Sequence, residues 1–280
     1  MCIRAPNPYF YPMKMPLAVK VEDLSLPSAL LKREVGLTVY QPVEFNPSGG
    51  SHILLVNDGQ DLVTMAFEKI LERFINGSSA ANLLVVGIKA SDNRVKEYGM
   101  ENAVDYMGRG AGAKGYANFI VNELIPFFKK KAAVYSEATI GFAGFSLGGL
   151  SALDIVWNNA SLFNVAGVFS GALWWRSIDQ TSPLYNDNKH RLMQQQILNS
   201  NNQNGLRFFF QCGGMDETND RNKNGVIDSI DDTRDTVTAL ESKGYSLGKE
   251  IKYLEMPNGK HNIATWAEAF PIFLEWAYKQ

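Results

Sequence analysis

Residues 138–153 read Ala138-Thr-Ile-Gly-Phe-Ala-Gly-Phe-Ser-Leu-Gly-Gly-Leu-Ser-Ala-Leu153, an apolar run that breaks at Gly144–Gly149 around a G-x-S-x-G centred on Ser146. Thr139–Ala143 has the composition of a buried strand and Leu150–Trp157 that of a helix, so strand, sharp turn and helix follow in that order. Glycines on both sides of the serine remove Cβ atoms that would clash with the neighbouring strand and helix, and the hydroxyl is pushed out of the sheet edge. The helix behind the serine turns its free N–H groups and positive dipole end toward any negative charge that develops there, which makes the amide of Leu147 a candidate donor.

Working outward, composition bounds what the rest of the chain builds. With 280 residues, 45% of them hydrophobic, it suffices for one large α/β domain. A net charge of −2 without a basic cluster excludes the electrostatic footprint of nucleic-acid binding, and the apolar stretches are too short to span a bilayer. Cys2 and Cys212 form no disulfide framework, and Cys212 reads as a buried thiol at the end of an apolar strand. Met1–Pro12 lacks a continuous apolar h-region, so the expectation from the chain as written is a cytoplasmic protein, or a secreted or periplasmic one if the sequence is trimmed.

Residues 1–19 read as an irregular, proline-rich arm and residues 20–280 as a single domain. Val21–Leu26, Leu30–Glu34 and Gly36–Tyr40 have strand-like content and suggest an antiparallel opening to the sheet, with a turn at Asn46–Gly50. Then come strand His52–Val56, helix Thr64–Asn76, strand Asn82–Ile88, a polar loop Ser91–Tyr98 and helix Tyr116–Lys131. Beyond the Ser146 turn, strands are expected at Val165–Ser170, Leu206–Gln211 and Ile251–Leu254, with helices at Asn188–Leu198, Asp232–Lys243 and Ile263–Lys279. Alternating strands and helices indicate a mostly parallel central sheet with helices on both faces. Gly108–Gly115 follows no strand and contains no G-K-[ST], so it reads as a rim or linker and not as a phosphate loop.

A serine hydroxyl needs a base, and the base an orienting carboxylate. Of three histidines, His52 opens a strand beside a Gly-Gly turn and His190 lies in a charged helix. His261 follows Pro257–Lys260, read as a turn just past the last strand, and precedes the C-terminal helix. That is where the α/β-hydrolase fold, which the Ser146 turn resembles, presents its base, since it runs serine, acid, histidine along the chain. The acid belongs after strand Leu206–Gln211, where Asp216 and Glu217 both qualify and spacing favours Asp216. A second oxyanion donor is expected after His52–Val56, from the amide of Gln60 or Asp61, with Gln60 preferred.

Asp220–Asp231 follows an EF-hand loop closely. Oxygen-bearing side chains fall at positions one, three and five (Asp220, Asn222, Asn224), with Gly225 at six, the Val226 carbonyl at seven, Asp228 at nine and Asp231 at twelve. Position twelve carries Asp instead of the longer bidentate Glu, so a structural calcium ion of modest affinity is expected, ordering the Asp216 segment.

Taken together, the chain resembles the esterase family of α/β-hydrolases that includes enterochelin esterase, S-formylglutathione hydrolase, feruloyl and acetylxylan esterases and mycolyltransferases. The resemblance runs from about Val21 to the C-terminus. It is carried by Asn57–Gln60, Gly115–Phe128 with Glu123-Leu-Ile-Pro126, Gly144–Gly149, Phe163–Gly171 with Trp174-Trp175, Cys212–Asp216, and Asn258-Gly-Lys-His261 followed by Trp266. It implies a Ser146–Asp216–His261 triad, ester hydrolysis through an acyl-enzyme, oxyanion donors at Leu147 and Gln60, and no cofactor for catalysis. The expected substrate is a small-molecule or carbohydrate-linked ester. An acyltransferase with the same triad, or a non-catalytic binding relative, is the alternative. Trp174 and Trp175 are expected near the pocket mouth, to stack on an aromatic acyl group or sugar, or else in the core.

Overall fold

The computed structural model describes residues 18–45, 50–77, 82–131 and 133–279. Its strands are β1 (Val19–Ser28), β2 (Arg33–Pro42), β3 (Ser51–Asn57), β4 (Asn82–Ile88), β5 (Thr139–Phe145), β6 (Val165–Phe169), β7 (Arg207–Met215) and β8 (Ile251–Lys260). They form one sheet in the order β1-β2-β4-β3-β5-β6-β7-β8. β1 pairs antiparallel with β2 and β2 antiparallel with β4, and every later pairing is parallel. The connecting helices are α1 (Gly59–Thr64), α2 (Phe67–Gly77), α3 (Arg94–Glu97), α4 (Ala113–Phe119), α5 (Ile125–Lys131), α6 (Leu147–Asn158), α7 (Asp187–His190), α8 (Leu192–Asn199) and α9 (Asp228–Ser242), and α10 (Ile263–Tyr278) closes the chain. A π-turn at Ile120–Leu124 joins α4 to α5.

Parallel strands buried on both faces need apolar side chains in both directions, and β5 supplies them. Ile140 and Phe142 point to the face covered by α4–α6, α8 and α9, while Ala143 and Phe145 point to the face covered by α2 and α10. On the second face Phe145, Phe169 and Phe270 pack as an aromatic layer, with Phe169 and Phe270 stacked at 5.0 Å. Each such pair contributes about 0.5–1.5 kcal/mol beyond the area it buries.

Strand order fixes where a ligand fits. From β3 the chain steps outward to β4 and then crosses back to β5 on the other side of β3, so the winding reverses between β3 and β5. A crevice opens at the carboxyl ends of strands at such a switch point. Here those ends carry Asn57 and, after Phe145, Ser146.

Several boundaries differ from the sequence expectations. The arm expected over 1–19 lies outside the described residues up to residue 17, and Val19 already belongs to β1. Leu30–Glu34 is no separate strand: residues 29–32 form a hairpin turn and β2 begins at Arg33. Glu123 on the π-turn explains the tight bend, because its carboxylate accepts the N–H groups of Ala29 and Leu30 and the hydroxyl of Ser28. The turn expected at Asn46–Gly50 lies outside the described residues except for Gly50. Thr64–Asn76 is two helices, broken at Ala66 with φ 50°. Both C-terminal strands run longer than expected: β7 continues to Met215, and β8 continues through Pro257-Asn-Gly to Lys260, so this segment is strand and not turn. β8 is the sheet edge, where a proline costs no ladder bond, and the register shifts between Gly213 and Met215 to accommodate it.

Candidate active site

Ser146 sits in a strained conformation, φ 54° and ψ −122°, immediately ahead of the 12-residue α6. Neighbouring backbone holds it there. Its N–H donates to the Phe169 carbonyl at 2.9 Å, and its carbonyl accepts from Gly149 (3.0 Å), Leu150 (3.2 Å) and Ala172 (3.0 Å). Because Gly149 and Leu150 turn back to Ser146, the helix-end amides facing outward are those of Leu147 and Gly148. Two glycines make the turn sterically feasible: a Cβ on Gly144 would lie 2.3 Å from the Gly148 carbonyl oxygen, and one on Gly148 would lie 2.7 Å from Oδ2 of Asp58.

That second contact shows how close the β3 loop stands to the Ser146 turn. Asn57 joins the two directly, its amide donating to the Gly148 carbonyl at 2.8 Å while its oxygen accepts from the Tyr116 hydroxyl at 2.6 Å. Asp58 adopts a left-handed conformation, and its N–H donates to the Tyr98 hydroxyl oxygen. The carboxylate of Asp58 is buried and bound in a fork by Arg94, Nε to Oδ1 at 2.6 Å and Nη2 to Oδ2 at 2.8 Å. Of the two expected second donors, Asp61 has its N–H taken by the Asp58 carbonyl at 2.9 Å, which favours Gln60. The Gln60 side chain is anchored as well, accepting the Ala90 N–H at 3.0 Å.

His261 follows β8 directly. Its ring meets the edge of Trp266 at 5.4 Å, and Trp266 stacks on Phe145, the residue before Ser146, at 4.9 Å. Trp266 is itself fixed by donating to the Ser170 hydroxyl at 3.0 Å. Desolvation holds the imidazole pKa below the ordinary histidine value, with the negative charge of Asp216 opposing and the positive charge of Arg94 reinforcing that shift. The imidazole is therefore mostly neutral, and able to accept a proton, near pH 7.

Asp216 stands at the end of β7, where its Oδ2 accepts the Gly213 N–H at 2.9 Å. Its Oδ1 is buried without a hydrogen-bond partner. An unpaired buried carboxylate oxygen is costly and calls for a donor. Glu217, the other candidate acid, turns away to the side chain of Asn219 at 3.1 Å and the amide of Ser229, and burial raises its pKa. The remaining histidines stand elsewhere: His52 at the opposite end of β3 contacts Thr139 (2.7 Å) and Tyr278, and His190 on α7 accepts the Asn186 N–H.

In the loop Asp220–Asp231, Asp220 accepts the N–H groups of Asn224 and Gly225, and the amides of Asn222 and Asn224 both donate to Asp231. Asp228 instead takes the backbone N–H of Arg221 at 2.8 Å and the Arg221 guanidinium at 3.2 Å. Arg221 also pairs with Asp187 and Asp232, tying the loop to α7 and α9. Among the described residues, no group of three or more His, Cys, Asp and Glu side chains is arranged to hold a metal ion.

Sequence reasoning missed Arg94, Tyr98 and Tyr116, whose roles come from contacts across many residues of chain. Trp175 proves to be core, fully buried with its indole N–H on the Ala103 carbonyl, whereas Trp174 is half-exposed. The glycine-rich segment is a rim held on α3, with Gly110 donating to the Val95 carbonyl and Gly112 to that of Lys96.

Comparison with known proteins gives the family and the fold. Residues 28–276 match the family model described as "Putative esterase", and the chain belongs to that family. The uncharacterized protein YbbA of Bacillus subtilis is 29% identical over 150 residues, a match spanning 51% of this chain and 59% of YbbA. Among solved structures, a ferulic acid esterase superposes with TM-score 0.67 at 17% identity, covering 94% of this chain and 98% of that one. An IroE-like serine hydrolase from Shewanella oneidensis gives TM-score 0.66 at 19% identity, covering 91% and 78%. At these identities the likeness is one of fold, the α/β-hydrolase fold of esterases, and family and fold together mark the chain as an esterase-type hydrolase.

Proposed function

We propose that this hydrolase cleaves a carboxylic ester with Ser146 as nucleophile, His261 as general base and Asp216 as the carboxylate that orients it. One observation carries the reading. The orphaned Oδ1 of Asp216 lies where His261 feels its charge, and Trp266 links that histidine to the Ser146 turn. An N–H of His261 donated to this oxygen fixes the tautomer and leaves the other ring nitrogen to take the serine proton.

The steps follow from the chemistry. Ser146 Oγ attacks the ester carbonyl carbon as His261 removes its proton, and the amides of Leu147 and Gln60 hold the oxyanion. On collapse, the alcohol leaves with the proton that His261 returns, forming an acyl-enzyme. Water, deprotonated by His261, releases the acid and restores Ser146.

The test is hydrolysis of 4-nitrophenyl acetate by the wild type and by Ser146→Ala. The reading expects a burst and then steady turnover in the wild type, both lost in the variant. Equal rates for the two proteins would refute it.

A further inference from the structure

The loops over the carboxyl end of β6 carry an alternating ladder of arginines and aromatic rings. Arg109 lies 6.0 Å from the Tyr106 ring and 4.7 Å from the Trp174 ring, and Arg176 lies 5.7 Å from Trp174 and 5.8 Å from Tyr185. Distances of this size are those of cation–π contacts. The ladder stands beside the nucleophile. The Ser146 carbonyl accepts the Ala172 N–H, and Trp174 is two positions on from Ala172, a reach of at most about 7 Å of extended chain.

Within the ladder the two guanidiniums differ. Arg109 is paired with Asp105, Nε to Oδ2 at 2.6 Å, just as Arg94 is paired with Asp58. No carboxylate forms an ion pair with Arg176 among the described residues; its Nη1 meets only the neutral side-chain oxygen of Gln180, and its Nε is buried with no partner. The acid nearest in sequence, Asp179, accepts from the amide and hydroxyl of Thr181, both at 2.8 Å, and feels the charge of Arg176 without forming an ion pair with it. Backbone bonds fix the main chain on two sides, from the Tyr106 N–H to the Arg176 carbonyl and from the Ser177 N–H to the His190 carbonyl, and the guanidinium itself lies between the Trp174 and Tyr185 rings.

A half-buried cation with an unsatisfied N–H gains strongly from an anionic acceptor, and a flat ring beside it favours a flat ligand. We propose that Arg176, with Trp174 as its platform, is the specificity-determining residue of the esterase, selecting esters whose acyl or alcohol part is aromatic and carries a negatively charged oxygen. This inference rests on the esterase reading.

Two matched ester pairs test it. The acyl pair is 4-nitrophenyl hydrogen terephthalate against 4-nitrophenyl 4-methylbenzoate, and the alcohol pair is 4-acetoxybenzoate against 4-tolyl acetate. Arg176→Met is expected to lower kcat/KM for the charged member of one pair by about tenfold or more, mainly through KM, as loss of a charge-assisted hydrogen bond should. The uncharged member should change less than about twofold, and Arg176→Lys, which keeps the charge, should recover part of the preference. If charged and uncharged members fall together in both pairs, or neither falls, the inference is overturned. A wild type that cleaves 4-nitrophenyl acetate but none of the four esters also overturns it, whereas one that leaves 4-nitrophenyl acetate untouched overturns the esterase reading beneath it.

Discussion

A single methyl group placed on Gly148 probes the proposed oxyanion site. Gly148 lies in the first turn of α6, where its Cα faces Asn57 and Asp58, and an alanine Cβ would sit 2.7 Å from Asp58 Oδ2 and 3.0 Å from Asn57 Cβ. Ordinary contact begins at 3.4 Å, so the carboxylate must retreat by 3.4 − 2.7 = 0.7 Å. It has little freedom to do so, because Arg94 grips both oxygens and Asn57 is tethered to Gly148 and Tyr116. The strain therefore passes to the loop that carries Gln60. Overpacking of this kind costs about 1–3 kcal/mol, offset by the roughly 1 kcal/mol that alanine gains over glycine in a helix, so the net loss of stability is about 0–2 kcal/mol. The catalytic effect is larger. Losing an oxyanion donor costs on the order of 10²–10³ in kcat, and a misplacement near 1 Å about 10². Gly148→Ala is expected to lower kcat on a 4-nitrophenyl ester by about 10- to 100-fold with KM little changed. Gly115→Ala is the control, since its Cβ meets nothing within 4 Å on α4, and it should stabilise by about 0.5–1 kcal/mol with activity intact. A Gly148→Ala enzyme with wild-type kcat and a lowered melting temperature would refute the placement of the oxyanion donor on this loop.

Three further outcomes are expected. The acid limb of kcat/KM should have its midpoint below the ordinary histidine value of 6.5, activity falling as His261 protonates. Asp216→Asn removes the charge that opposes this shift, so it should move the midpoint lower still and cut kcat by about 10²–10⁴, read from a pH–rate profile. Calcium binding at Asp220–Asp231 has its own check: with an affinity of about 10⁻⁴ M, 1 mM Ca²⁺ would stabilise by about 1.4 kcal/mol, a rise of a few degrees over chelator-treated protein, absent in Asp231→Asn. An unchanged melting temperature would remove calcium from the account. Burial raises the pKa of Asp154 on α6 from 3.8 to about 7. Its unfolded form thus releases its proton first, and stability should fall as pH rises from about 4 to about 7, by up to roughly 4 kcal/mol at 1.4 kcal/mol per unit, measured by denaturant titration. Asp154→Asn should flatten that slope.

The Ser146 turn was legible in the sequence because its signal is local: apolar strand, glycines at fixed spacing, helix. The placing of Asp216 and His261 just past the ends of β7 and β8 was legible through chain order, since parallel topology brings those strand ends to the same edge as Ser146. Neither signal reaches the residues that hold the site rigid. Arg94 grips Asp58 across 36 residues, Tyr98 meets it across 40, and Asn57 reaches Gly148 across 91, contacts that exist only once the sheet has assembled. Local breaks without glycine or proline were equally silent, as at Ala66, where an ordinary alanine takes a left-handed conformation between two helices. Trp174 and Trp175 are adjacent in sequence yet one lies in the core and the other on the rim, because the Trp175 indole finds a buried carbonyl and Trp174 lies between two arginines.

Ser146 is tested as the nucleophile by covalent labelling with a fluorophosphonate, followed by peptide mapping. One phosphonyl adduct is expected, on Ser146, formed by the wild type and strongly slowed in His261→Ala. An adduct on another residue, or none on a folded wild type, would contradict it.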